Sequence, residues 1–326
     1  MTPFSFGPRF VLRRYGLVRL AVALVAGALL GPGAGFAQEG EAKRSGPLEL
    51  KDLAYVPDGH ERQTLDLYLP RPVEEGAKPL PLVIWVHGGG WEGGNKDGCP
   101  PRGAGMLGRG YACASLGYRL TNAAPFPAQI EDCRAAIRFL RAHADEYGLD
   151  PDRFGVWGSS AGGHLVALMG TAGDETSFDV GENKDVSAKV QAVCDYCGPS
   201  DFAAFAAASG GDRFGANPSS PIYRLLDGPF AERGELAKKA SPITYVSKDD
   251  PPFFIVHGDA DRTVPVSQGK RLHEALKKAG VDSTLKLLPG GGHVDKRYYT
   301  REGYAEVVAF FDRTLKDESA KDESAE

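Results

Sequence analysis

Gly158-Ser159-Ser160-Ala161-Gly162 decides how this chain is read. The five residues before it, Arg153-Phe154-Gly155-Val156-Trp157, have the apolar character of a short strand. Gly163 to Met169, which follow it, have the character of a helix start. A serine on a sharp strand-to-helix turn has its hydroxyl pushed clear of the backbone, where a substrate carbonyl can reach it. So tight a turn tolerates only small residues two positions to either side, and Gly158 and Gly162 stand there. A plain Gly/Ser-rich turn would share this composition. The strand–turn–helix context favours Ser160 as a nucleophile.

A second segment supports that reading. His87-Gly88-Gly89-Gly90-Trp91 follows the buried-strand pattern Leu82-Val83-Ile84-Trp85-Val86. Attack on a carbonyl builds an oxyanion, which needs fixed N–H donors in a poorly hydrated place. A glycine run lets the backbone come close and turn its amides inward. Gly89 or Gly90 is the candidate donor here. Ala161, at the N-terminus of the helix after the serine, is the other. Glycine runs after strands also bind phosphate, but this one lacks both the GxGxxG spacing and the Lys-Ser/Thr of a P-loop.

The serine needs a base, and the base needs an orienting acid. Pro252 to His257 reads as a strand running into Gly258-Asp259-Ala260-Asp261-Arg262-Thr263-Val264-Pro265. Thr284 to Leu288 reads as the next strand, ending in Pro289-Gly290-Gly291-Gly292-His293. Asp261 is the expected acid and His293 the expected base, in the chain order Ser, Asp, His. Asp259 is the alternative acid, though its place at the strand end suits a turn-shaping role. His164 sits one turn into the helix after Ser160 and reads as a packing or hydrogen-bonding residue. His257 reads as structural, His87 as a brace of the glycine loop, and His60, His143 and His273 as surface residues.

Outward from these motifs, strands and helices alternate through Phe311. That pattern implies a mostly parallel sheet covered on both faces. Leu48 to Val56 and Gln63 to Leu69 read as antiparallel edge strands ahead of it. Ala128 to Tyr147 carries Ile130, Cys133, Ile137 and Leu140 on one helical stripe. Thr171 to Lys189 and Asp201 to Lys239 break the alternation and are expected to form the rim of the site or a small lid. Their large apolar residues, Phe178, Phe202, Phe205 and Phe214, are scattered among Ala, Gly, Ser and charged residues, so no long acyl groove is expected.

Several segments together carry a family resemblance: Trp85 to Trp91, Ser115 to Leu120, Phe126 to Gln129, Asp150 to Arg153, Gly158 to His164, His257 to Pro265, and Gly292-His293. In this order, over roughly residues 48–315, the chain resembles a secreted α/β-hydrolase of the carboxylesterase type. It is similar to the group of bifunctional acetylxylan/feruloyl esterases, with relatives among hormone-sensitive-lipase-like esterases. The resemblance implies the α/β-hydrolase fold and hydrolysis of short-acyl esters, including acetyl or feruloyl esters of plant-type polysaccharides. Members of one fold share machinery and differ in pocket loops, so the ester itself is not fixed by it. A prolyl-oligopeptidase-like peptidase shares the triad order but usually carries a propeller, for which there is no room. A non-catalytic binding module typically loses the serine or histidine, and both stand here.

The ends and the composition complete the reading. Residues 1–37 have the form of a signal peptide: Arg9, Arg13, Arg14 and Arg19, an apolar run from Leu20 to Leu30, and Gly35-Phe36-Ala37 before the expected cleavage. Export to the periplasm or outside the cell is therefore expected. The apolar run is too short for a stable membrane span. Residues 38–47 form a polar linker, 48–315 the catalytic domain, and 316–326 a charged low-complexity tail. The net charge of −5 gives no argument for nucleic acid. No His/Cys/carboxylate grouping has ligand spacing, so neither a metal nor an organic cofactor is expected. The expected partner is a small-molecule or polysaccharide ester. The odd count of five cysteines leaves at least one thiol. Cys99 and Cys133 are the expected disulfide, and Cys194 and Cys197, with CxxC spacing on a strand, are expected to face opposite ways.

Overall fold

The computed structural model describes residues 46–70, 78–210 and 214–316. The expected signal peptide, all but the end of the linker, and the tail beyond Lys316 lie outside the described residues. Among the described residues eight strands form one sheet: β1 (Leu48–Ala54), β2 (Thr64–Leu69), β3 (Leu80–Val86), β4 (Ala112–Leu116), β5 (Leu149–Ser159), β6 (Ala192–Tyr196), β7 (Phe253–Gly258) and β8 (Ser283–Leu288). Their order across the sheet is β1-β2-β4-β3-β5-β6-β7-β8. β2 runs antiparallel to both neighbours, and every pair from β4 to β8 is parallel.

β1 is the edge strand, as expected, but β2 is paired on both sides. Its polar face is therefore covered too. Asp66 is buried and is held there by Lys51 at 2.9 Å and Lys96 at 2.7 Å. A carboxylate out of water needs such partners.

The side-chain period of two sorts the parallel strands into two layers. Leu82, Ile84 and Val86 of β3 enter one core cluster. Val83 and Trp85 enter the other, on the opposite face. The helix Ala128–Ala142 packs Ile130, Cys133, Ile137 and Leu140 into the first cluster. The C-terminal helix Arg301–Leu315 packs Val307, Val308, Phe311 and Leu315 into the second. Fully burying each such aliphatic side chain contributes about 1.5–3 kcal/mol. The expected single helix from Ala128 to Tyr147 breaks at His143, and a separate turn, Ala144–Tyr147, follows it.

Two expectations fail for a topological reason. Cys133 lies in the first cluster, while Cys99 packs against the second, so the sheet separates them and no disulfide joins them. All five cysteines are free thiols. Residues 171–189 do not reach the site either. Arg134 and Arg138, buried on the helix Ala128–Ala142, bind the Asp179 carboxylate, and Arg141 binds the carbonyls of Ser187 and Lys189. These three arginines strap the segment along the helix, away from Ser160.

The sheet order is what positions the site. β3 and β5 are neighbours, with Val86 opposite Gly158, so the glycine loop and the serine turn emerge side by side. β7 and β8 carry the acid and histidine loops from the same carboxyl edge, where open α/β sheets bind ligands.

Candidate active site

Ser160 adopts φ 56° and ψ −119° between β5 and the helix Ala161–Thr171. A non-glycine residue pays for a positive φ, and here the surroundings impose it. A Cβ on Gly158 would collide with the Gly162 carbonyl, and one on Gly162 with the Val86 carbonyl. The turn is thus packed against both itself and β3. The Ser160 amide donates to the Tyr196 carbonyl at 2.7 Å, which fixes the turn against β6.

The hydroxyl meets the expected partners. His293 Nε2 lies 2.8 Å from Ser160 Oγ, and His293 Nδ1 lies 2.7 Å from Asp261 Oδ2. The distances suit Nδ1–H donating to the carboxylate and Nε2 accepting from the serine. Asp261 Oδ1 accepts the amides of Thr263 at 2.8 Å and Val264 at 2.9 Å. Burial pushes this carboxyl towards its neutral form. The bonds from His257, His293 and the Val264 amide outweigh burial and hold it well below the usual carboxylate range. It is therefore held as the carboxylate at neutral pH. Asp259 faces elsewhere and accepts the Gly290 amide at 2.6 Å, so it shapes the turn before His293.

The other histidines have separate work. His164 is fully buried; Trp91 Nε1–H donates to its Nδ1 at 3.1 Å, and its Nε2–H donates to the Ala240 carbonyl at 2.7 Å. Burial pushes it down to about 4, so it stays neutral. His87 donates from Nδ1 to the Gly88 carbonyl at 2.7 Å and stacks on Tyr118 at 4.3 Å, bracing the glycine loop. His60, His143 and His273 bind local partners away from the site.

His257, expected to be structural, also touches Asp261, the expected acid. Its Nε2–H donates to the Val264 carbonyl at 2.9 Å and lies 3.4 Å from Asp261 Oδ2. The signal was present in the spacing, since a histidine ending the strand four residues before the acid can fold back on it. Behind His257 stands Asp195, fully buried, with Oδ1 accepting the Gly198 amide at 2.9 Å and Oδ2 without a partner. Burial raises this carboxyl to about 6, against the Gly198 bond and the His257 field. A raised acid is penalised when ionised, so at pH 8 Asp195 costs about 3 kcal/mol that protonation through pH 6 to 4 relieves. We expect Asp195→Asn to raise the melting temperature at pH 8, with the gain shrinking as the pH falls to 4.5. A gain that stayed constant across that range, measured by differential scanning fluorimetry, would contradict the account.

Gly90 and Ala161 line a cavity of about 270 Å³ beside Ser160. Gly89 does not line it; at φ 116° it turns the loop and packs on Gly93. Among the described residues neither glycine donates its amide to a backbone acceptor. The wall opposite comes from the second insertion. Phe205 and Phe214 pack with tilted rings, centroids 4.7 Å apart, and Pro221 and Ile222 continue the surface. These aromatics are not scattered as the sequence suggested. The helix Phe202–Ala208 folds back so that Phe205 meets Phe214, while Phe202 packs on Trp91 and Phe178 on Phe126. Cys194 and Cys197 fall in one cluster rather than facing apart, because β6 ends at Tyr196 and Cys197 turns at φ 48°.

Comparison with known proteins agrees with this architecture. The esterase LipQ of Mycobacterium tuberculosis is 31% identical over 278 residues, which are 78% of this chain and 63% of LipQ. The chain thus spans about three fifths of that relative's length, and 56% of the length of the probable carboxylic ester hydrolase LipM of the same organism. Among solved structures, a bifunctional GH43-CE protein of Bacteroides eggerthii superposes with a TM-score of 0.74 at 31% identity, over 82% of this chain and 35% of that one. A truncated carbohydrate esterase from gut microbiota superposes with a TM-score of 0.73 at 30% identity, over 85% of this chain and 99% of that one. The sheet order and these neighbours make the fold that of the α/β-hydrolases. One family model, BD-FAE, matches residues 65–276, from β2 into the helix Ser267–Ala279, and on that match the chain belongs to the BD-FAE family.

Proposed function

We propose that this protein is a serine carboxylesterase acting on short-acyl esters. The observation that carries the reading is the unbroken line from Ser160 Oγ through His293 to Asp261, at 2.8 and 2.7 Å, on the wall of an apolar cavity. His293 Nε2 takes the serine proton as Oγ attacks the ester carbonyl. Asp261 keeps Nδ1–H in place and stabilises the imidazolium. The amides of Ala161 and Gly90 face the developing oxyanion. His293 then gives its proton to the leaving alcohol, and water repeats the sequence on the acyl-serine.

The substrates we infer are acetyl or feruloyl esters of polysaccharides. The bifunctional GH43-CE protein and the carbohydrate esterase from gut microbiota support this, as does the aromatic wall of Phe205 and Phe214. The leader-like composition of residues 1–37 supports export. Among the described residues no helix is long and apolar enough to cross a membrane.

A cavity of about 270 Å³ is at the small end for ligand pockets, so a long acyl chain would project into water. It would forgo the roughly 0.8 kcal/mol that each buried CH₂ contributes. We expect kcat/KM to be highest for acetyl to butyryl nitrophenyl esters, without activation at a lipid–water interface. Assays with graded acyl lengths, beside acetylated and feruloylated xylan, test this. Faster hydrolysis of decanoyl esters at matched soluble concentration would show an acyl groove and remove the support for a polysaccharide substrate.

A further inference from the structure

A thiol stands behind the catalytic pair and has no part in the proposed chemistry. Cys197 follows β6, and its φ of 48° turns the side chain towards the histidine loop. Its Sγ, a carboxylate oxygen of Asp261 and a ring nitrogen of His293 all lie within 4.8 Å of one another. Among the described residues this is the one grouping of three such donors at that spacing. Cys197 and Asp261 are buried, and His293 is partly exposed. The Val294 amide and the Tyr298 hydroxyl adjoin the sulfur. Both would favour a thiolate there.

We propose that Cys197, Asp261 and His293 form a binding site for a thiophilic divalent cation of the zinc class, and that filling it switches the esterase off. The inference rests on the triad reading for its inhibitory part only. One sulfur, one imidazole nitrogen and one carboxylate oxygen are a donor set that zinc takes tetrahedrally, with water completing the shell. Metal–ligand distances of about 2.0–2.3 Å put such donors about 3.3–3.7 Å apart. His293 and Asp261, now at 2.7 Å, must separate by roughly half an ångström, and the sulfur must approach by up to about 1 Å.

The bond changes are simple. The Cys197 S–H bond breaks, its proton leaves to solvent, and a metal–sulfur bond forms. The cation has to displace the proton of this buried thiol. At His293 the cation takes the Nδ1 lone pair facing Asp261, and the ring proton moves to Nε2. Nε2–H then points at Ser160 Oγ and can no longer accept the serine proton. The base is lost through a change of tautomer, with the serine untouched.

The test uses the full chain. Zn²⁺ is titrated into the nitrophenyl acetate assay, and Cd²⁺ into the protein while the ultraviolet thiolate-to-cadmium charge-transfer band is read. We expect Zn²⁺ inhibition reversed by EDTA, and a band that saturates at one equivalent of Cd²⁺. Cys197→Ser should lose that band and need about 10- to 100-fold more Zn²⁺ for half-inhibition relative to its own metal-free rate. Ser160→Ala should keep the band, which separates failure of the metal site from failure of the esterase reading. If Cys197→Ser does not fold, His293→Gln serves instead, with weakened cadmium binding expected. Equal inhibition and an equal band in wild type and Cys197→Ser, unchanged cadmium affinity in His293→Gln, or no band at one equivalent in the wild type would each overturn the proposal.

Discussion

Ser160→Ala is expected to lower turnover on nitrophenyl acetate by about 10⁴- to 10⁶-fold, with unchanged folding. The loss is large because nothing nearby can replace the hydroxyl. The turn that presents Ser160 is packed closely at Gly158 and Gly162, which holds Ser160 at its apex. Ser159 is itself buried at the end of β5. Alanine keeps the turn and removes only the nucleophile. A steady-state assay beside a circular-dichroism melt checks both halves. Activity within tenfold of wild type would mean that another residue attacks the ester.

Asp261→Asn should cost about 10⁴ in turnover, because an amide presented to Nδ1 favours the wrong imidazole tautomer. The carboxylate is also the meeting point of His293, His257 and two backbone amides, so the whole loop is arranged around its charge. Asp259→Asn is the matched control. Its one contact, to the Gly290 amide, can be kept by the amide oxygen, so a loss of less than about tenfold is expected. Reversed results from the two variants would move the catalytic acid to Asp259.

Much of this site was legible in the sequence, for a physical reason. A nucleophile turn, a glycine loop and two post-strand loops are local patterns, each dictated by backbone sterics within a few residues. Sheet order then brings Ser160, Asp261 and His293 together although they span 133 positions. What could not be read depended on where distant surfaces meet. Cys99 and Cys133 fell on opposite faces of the sheet, which no spacing discloses. Arg134 and Arg138 are buried against Asp179, a contact between distant segments that the helical stripe alone does not disclose. Phe205 and Phe214 looked scattered because the fold-back that brings them into contact is tertiary. The end of β6 at Tyr196 decided the direction of Cys197, and a one-residue shift in a strand boundary reverses a side chain's face.

Activation of Ser160 by His293 and Asp261 can be read by covalent labelling. The protein is reacted with a fluorophosphonate, and the adduct is mapped by tandem mass spectrometry. The account predicts one adduct per chain, on Ser160 rather than Ser159, and labelling slowed by several orders of magnitude in His293→Gln. An adduct on Ser159, or labelling of Ser160 at the wild-type rate in His293→Gln, would contradict it.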